Sequence, residues 1–318
     1  GAEIGNGSAE RPRGAGAGTG AHVTFGVEAL DSDERTQEVY YAQPGVDGWA
    51  AVLVSDPEIG TGSLDETGAI KPDIAVDNRG RAHIVWQDDG NRDDDGTSDR
   101  DIYYRRMDLG TTRIVNGPCG DPNDWLDNGW DVGAESPSIA IDPRDPNART
   151  YVSWEAYSQD EAGNGCAPAG QAKAVMYTWT EHDPDRLDTV GMFVGASVHV
   201  NEGAEFAGDH FQRWPQLAVN SEEGELETTR LTVVWASDSE VAGSGDDDDI
   251  MLRRFNRDDE GGSVVVVSES TAGEDNNTDR SWIPTVAADD GGAAHVVWQD
   301  KDAGEGGDYD LVYGVSVP

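Results

Sequence analysis

Four segments of this chain begin alike: KPDIAVDNRGRAHIVWQD from Lys71, SPSIAIDPRDPNARTYVSWEA from Ser136, WPQLAVNSEEGELETTRLTVVWAS from Trp214 and WIPTVAADDGGAAHVVWQD from Trp282. Each holds a Pro, an apolar run of alternating pattern, a polar turn and a second run ending in Trp. Such a repeat constrains the fold more than any other feature, because one unit cannot bury its apolar face alone and must stack on its neighbours.

The second halves of the units also align, as EVYYAQ from Glu38, DIYYRR from Asp101, AVMYTW from Ala174, DIMLRR from Asp249 and DLVYGV from Asp310. A short fourth run follows in most units, for example AAVLVSD from Ala50 and SVVVVSE from Ser263. Four short strands per unit, with period-two alternation and almost no helical periodicity, predict an all-β chain: a β-propeller of four-stranded blades, five of them visible. Phe25 stands in the first blade where Trp86, Trp154, Trp235 and Trp298 stand in the others, and packing between blades is the expected role of these rings. On this pattern the first blade lacks its inner strand and the last its outer one. Residues 1–20, GAEIGNGSAERPRGAGAGTG, read as a flexible Gly-rich tail or linker, and 21–318 as the propeller domain, which can be part of a longer chain.

Charge narrows the partners. With 22 Lys and Arg against 63 Asp and Glu, the formal net charge is -41. Nucleic-acid binding needs a basic face and is excluded as a general role; contact with an anionic membrane is disfavoured for the same reason. No apolar run long enough for a membrane helix occurs. Acidic residues spread along the whole length, beside only Lys71, Lys173 and Lys301, suit a protein kept soluble in high salt, where counterions screen self-repulsion. A secreted protein that binds divalent cations is the other reading of that composition.

The units resemble those of the sialidase-like propellers built from bacterial neuraminidase (Asp-box) repeats. The resemblance covers residues 21–318 and rests on P-x-I-A-V-D, H-V-V-W-Q-D and D-I-Y-Y-R-R. The Asp box itself survives only in fragments: Asp47, Gly48 and Trp49 in QPGVDGWAA, Asp108 and Gly110 in MDLGTTRIV, Asp259 and Gly261 in RDDEGGSVV. For an enzyme of this kind, the resemblance implies arginines that hold a substrate carboxylate, and Arg213 and Arg280, each just before a first strand, are the residues in position for it. The corresponding places in other blades hold Ile70 with Lys71, and Glu135.

Because propeller loops alternate faces, the long acidic insertions should gather on one face. Asp93, Asp95 and Asp99, in D-x-D-G-x-x-D with Gly96, have a spacing able to wrap Ca2+, which takes carboxylate and carbonyl oxygens; a solvated acidic surface explains the same residues. Cys119 and Cys166, the only cysteines, fall on loops of that face, where a disulfide is the expected state and two free thiols the alternative; a bridge would place the protein outside the cytoplasm. His22, His83 and His295 take matching strand positions without metal-ligand spacing, which suits packing. The broken Asp boxes and incomplete arginine set lead to the expectation of an extracellular or cell-surface, non-catalytic binding or structural module with an acidic, Ca2+-binding loop face. Its partners would be an extracellular glycan or protein, or further copies of itself. The alternative is a sialidase-type glycoside hydrolase acting on an extracellular glycan.

Two outcomes are expected from these readings. If the charge is a salt adaptation, the melting temperature rises with KCl concentration; full stability in dilute buffer removes that idea. Should the acidic loops hold Ca2+, EDTA at constant ionic strength lowers the melt, whereas an unchanged melt dismisses the ion.

Overall fold

The computed structural model describes residues 8–17, 20–31, 34–55, 68–92, 98–109, 112–115, 133–142, 144–145, 149–157, 173–180, 197–201, 206, 210–222, 225–239, 248–256, 261–268, 281–301 and 309–317. All nineteen named elements are strands, joined antiparallel into five sheets. The first sheet has the order β1 (Ser8–Ala17), β2 (Gly20–Asp31), β3 (Glu34–Gly45), β4 (Gly48–Leu53), and the second β5 (Ile70–Val76), β6 (Ala82–Arg92), β7 (Ser98–Arg106), β8 (Thr112–Ile114). The third comprises β9 (Ala134–Ile141), β10 (Thr150–Tyr157), β11 (Lys173–Trp179) and β12 (Val198–His199). The fourth holds β13 (Gln212–Glu222), β14 (Glu225–Ser237), β15 (Asp249–Phe255) and β16 (Val265–Val266). The fifth has three strands, β17 (Ser281–Ala288), β18 (Ala294–Lys301) and β19 (Tyr309–Ser316). Two compact units divide the chain, Gly1–Val152 with Thr178–Ala196 and Ser153–Tyr177 with Ser197–Pro318, and the division passes through the third sheet.

The first blade departs from the sequence expectation. Ser8–Ala17, inside the stretch read as a tail, is strand β1, and it pairs with β2 from Ser8 opposite Glu28 to Ala17 opposite Gly20. The first blade therefore has its inner strand. Alanine and glycine carry too little apolar surface to show alternation, so the ladder of backbone bonds is the only signal there, and a sequence does not display it.

In the first unit, Trp86 stacks on Tyr103 across the β6–β7 pair, with centroids 5.8 Å apart and planes 18° apart. Phe25 and Tyr40 repeat that contact in the first sheet at 5.9 Å and 15°. Trp86 and Tyr103 join Val39, Tyr41, Val54, Ala69, Ile74, Ala82 and Ile84 in one apolar cluster that bridges the first two sheets. In the second unit, Val234, Ala236, Ile250 and Leu252 of the fourth sheet meet Ala294, Val296 and Trp298 of the fifth. Trp86 and Trp298 are thus inter-sheet core, and Trp154 and Trp235 are as fully buried; truncation of such a ring to Ala costs about 3–5 kcal/mol. The fifth sheet is covered on one side: Leu311 and Tyr313 are 78% and 58% exposed, where Ile102 and Tyr104 at the same places in β7 are 0% and 3%.

The hairpin from β5 to β6 shows how the polar turns are built. Asp77 Oδ1 accepts the N–H groups of Arg79 and Arg81, Asp77 Oδ2 accepts Arg81 Nε–H at 2.6 Å, and Gly80 takes φ 77°. His83 Nε2 lies 3.5 Å from the same carboxylate, while His83 Nδ1 meets Tyr104 Oη at 2.8 Å. The His–Tyr contact recurs as His22–Tyr41 and His295–Tyr313, and Asp289 faces His295 as Asp77 faces His83.

Desolvation lowers the pKa of buried His83 from 6.5, outweighing the pull of Asp77 upward. Asp77 is itself desolvated, yet its interactions with His83 and Arg81 outweigh that and hold the carboxyl below the usual carboxylate range. Both folded-state values lie under the unfolded ones, so the unfolded chain binds more protons and stability is lost as pH falls. Melting temperature is expected to decline as pH drops through 6.5, the unfolded value for His83, and the decline should be shallower in His83→Gln. Equal slopes for the two proteins would remove His83 as the cause.

Candidate functional site

One backbone feature recurs where the first strand of a sheet begins. Lys71, Ser136, Trp214 and Ile283 have φ of 52°, 53°, 53° and 49°, and each immediately precedes a proline. Left-handed backbone is uncommon for residues with a Cβ, and a following proline normally drives its predecessor toward extended geometry. Register shifts mark the same places, between Ile70 and Asp73, Arg213 and Gln216, and Trp282 and Thr285. A bulge of this kind re-aims side chains, and bulges gather beside active sites. It also strands backbone N–H groups. Gln87 Oε1 accepts the Ser136 N–H at 3.3 Å, and Glu155 Oε1 accepts the Trp214 N–H at 2.8 Å. Gln87 and Glu155 are each the residue after a core Trp, so the repeat supplies the cap.

In the first unit these bulges assemble a polar cluster between β5 and β9. Lys71 Nζ donates to Glu135 Oε2 at 3.3 Å and to Ser136 Oγ at 3.0 Å, and Arg100 also donates to Glu135, on Oε1. Two residues after Lys71, Asp73 Oδ2 accepts the Ile139 N–H at 3.0 Å and the Ser138 hydroxyl at 3.1 Å. Desolvation pushes the Asp73 carboxyl above its usual value despite those bonds. Neighbouring first strands thus present two carboxyl groups in opposite surroundings, one between two cations and one poor in water.

The second unit carries a different group at the same end of its sheets. Glu155, with its side chain 3% exposed, accepts Lys173 Nζ at 3.1 Å; Lys173 also donates to Tyr157 Oη at 2.9 Å and stands 4.1 Å over that ring. Arg213 lies over the rings of Phe211 and Trp214, at 4.3 and 5.8 Å to their centroids. Among the described residues Arg213 has no carboxylate within ion-pair distance. Trp214 meets Trp282 at 5.9 Å, and Trp282 meets Tyr309 at 6.1 Å. The Trp282 indole N–H donates to Asp248 Oδ2 at 2.7 Å.

Of the residues singled out from sequence, Arg213 is at the start of β13 as expected. Arg280, Asp93, Asp95, Cys119 and Cys166 lie outside the described residues, and Asp99 is within β7 with its side chain outside them. Among the described residues no group of three or more His, Cys, Asp or Glu is arranged to hold a metal ion. Nor does any described helix have the length and apolarity to cross a membrane. Sequence reasoning gave no functional role to Glu135, Asp73, Glu155 or Lys173, because their partners lie 18 to 66 residues along the chain. The visible signal was positional: Lys71 stands just before a recurring proline and Glu135 two residues before one, and Glu155 follows a recurring Trp.

No family model matches this sequence, and no curated protein matches it. Solved structures do. A Hadza microbial sialidase is 10% identical with a TM-score of 0.51, covering 98% of this chain and 56% of its own. An ulvan lyase bound to -[GlcA(1-4)Rha3S]- is 12% identical with a TM-score of 0.50, covering 95% of this chain and 69% of its own. The sialidase of Trypanosoma rangeli is 11% identical with a TM-score of 0.48, covering 97% of this chain and 45% of its own. The chain therefore spans about half the length of these sialidases. Arabinanases and a levansucrase are also among the similar structures. The expectation of a non-catalytic module is corrected here: the structures that share the fold at TM-scores of 0.51 and 0.50 are by name a sialidase and a polysaccharide lyase, enzymes and not binding modules. In fold, the chain is a sialidase-like β-propeller.

Proposed function

We propose that the protein is a glycoside hydrolase acting on an extracellular glycan. The observation that carries this reading is the carboxyl pair of the first unit, Asp73 on β5 and Glu135 on β9, strands that pack against each other. Glycoside hydrolysis asks for one carboxyl that keeps its proton and another that stays charged. Desolvated Asp73 suits the first role, giving a proton to the glycosidic oxygen as the bond to the anomeric carbon breaks. Glu135, held by Lys71 and Arg100, suits the second, taking a proton from the water that attacks that carbon. The acidic composition fits a salt-rich medium outside the cell.

Release of reducing ends from a panel of sialosides, arabinan, xylan and uronate-bearing polysaccharides tests the proposal. Asp73→Asn and Glu135→Gln should each lower the rate on the accepted substrate by about 10²–10⁴-fold with the melt retained. Because the Asp73 pKa is raised, its proton persists to higher pH, and activity should fall as pH rises through that value. Unchanged rates in both variants would overturn the assignment. The ulvan lyase among the similar structures supports a second reading, elimination from a uronate chain. Its product is an unsaturated, ultraviolet-absorbing sugar, which hydrolysis does not form.

A further inference from the structure

We infer that Trp214, Trp282 and Tyr309 form a carbohydrate-binding platform that holds successive sugar residues of a glycan chain, with Arg213 beside it to receive one anionic substituent. The inference rests on the glycan-acting reading above but uses none of its catalytic residues, and it lies wholly within the second unit.

The three rings touch one after another, with centroid steps of 5.9 and 6.1 Å and successive planes tilted by 52° and 38°, so they offer a turned surface and not a flat one. They come from the starts of β13, β17 and β19, at the end of the fourth and fifth sheets where first strands begin. The fold does not require aromatics there. The left-handed position held by Trp214 is Lys71, Ser136 and Ile283 elsewhere, and the position of Trp282 is Ile70, Glu135 and Arg213 elsewhere. Core rings such as Trp86, Trp154 and Trp235 are at most 1% exposed, whereas Trp214 and Trp282 are partly exposed and Tyr309 is 51% exposed. The Trp282 ring is fixed in advance, its indole N–H held by Asp248, and the backbone N–H that anchors Trp214 is held by a buried glutamate. Pre-set rings lose little freedom when a ligand arrives, and lower ordering cost means tighter binding.

Stacked aromatics also serve single-stranded nucleic acid, but that ligand needs an electropositive groove, and a chain with 63 acidic against 22 basic residues repels it. A pyranose combines an apolar C–H face with a rim of hydroxyls, which matches rings bordered by Arg213, Glu155, Lys173 and Asp248. Charge refines the class further. Lys173 is occupied by Glu155, while Arg213 has no carboxylate partner among the described residues. A densely charged polyanion is repelled by the net charge of -41, so the fitting ligand carries its anionic group on isolated sugars.

The test uses the full chain as Glu135→Gln, so that bound glycan is not cut, at fixed ionic strength. Glucuronate- and galacturonate-containing oligosaccharides, graded from monomer to hexamer, are titrated while tryptophan fluorescence and heat are recorded. Affinity should climb with length to about the trimer and then level off, and fluorescence should respond. Tyr309→Ala, at an exposed position, should weaken the trimer about tenfold without changing the monomer. Arg213→Ala should abolish the preference for uronate-bearing over neutral oligosaccharides of equal length. Absence of length dependence, or Tyr309→Ala and Trp282→Phe binding like the parent at an unchanged melt, overturns the platform, as does failure of every oligosaccharide to bind. If the parent chain hydrolyses nothing but the length series holds, the hydrolase reading falls and the platform stands.

Discussion

Four strained residues govern what this fold can present. Lys71, Ser136, Trp214 and Ile283 sit in left-handed backbone ahead of proline, a conformation that costs on the order of 1–3 kcal/mol at each position and persists only where the surroundings over-determine it. Here the surroundings do so twice. The core rings of the second strands lock sheets together, and the residue after the ring reaches over to accept the N–H that the bulge frees, Gln87 for Ser136 and Glu155 for Trp214. Core and site are therefore adjacent letters of the same repeat. Lys71, Glu135, Glu155, Arg213, Trp214 and Trp282 are each a strained residue, its neighbour, or its cap.

The architecture was legible because its determinants are local: alternation, turn residues and a Trp that returns at a fixed place in each unit. Phe25 could be placed by analogy, and its stack on Tyr40 repeats that of Trp86 on Tyr103. Strand β1 was not legible, since Ser8–Ala17 offers small residues with nothing to alternate. The sign of φ at Lys71 or Trp214 leaves no mark on composition either; proline alone argues the opposite way. The carboxyl environments were hidden for another reason. Lys71 and Glu135 are 64 residues apart, and what distinguishes Glu135 from dozens of other acids is who stands beside it. The functional preference went astray at this point, because broken Asp boxes describe outer turns and say little about first strands.

Scarcity of positive charge gives the paired lysines their meaning. Only three lysines occur in the chain, and two of them, Lys71 and Lys173, are placed on largely buried glutamates at equivalent ends of their sheets. Breaking a buried ion pair by removing one partner leaves an uncompensated charge, which costs more than the intact pair contributes. These glutamates could not be kept desolvated without their cations, whereas the surface acids need only counterions from the medium. One chain thus handles negative charge in two ways, by screening outside and by pairing at the strand starts.

The half-covered fifth sheet ties these themes together. With Leu311 and Tyr313 facing outward, it has fewer apolar contacts than the sheets before it, and segments with fewer such contacts open at lower free energy. Yet two of the three platform rings, Trp282 and Tyr309, belong to that sheet, and the third, Trp214, belongs to the better-packed fourth. A ligand lying across all three would act as a splint, lending the fourth sheet's rigidity to the fifth.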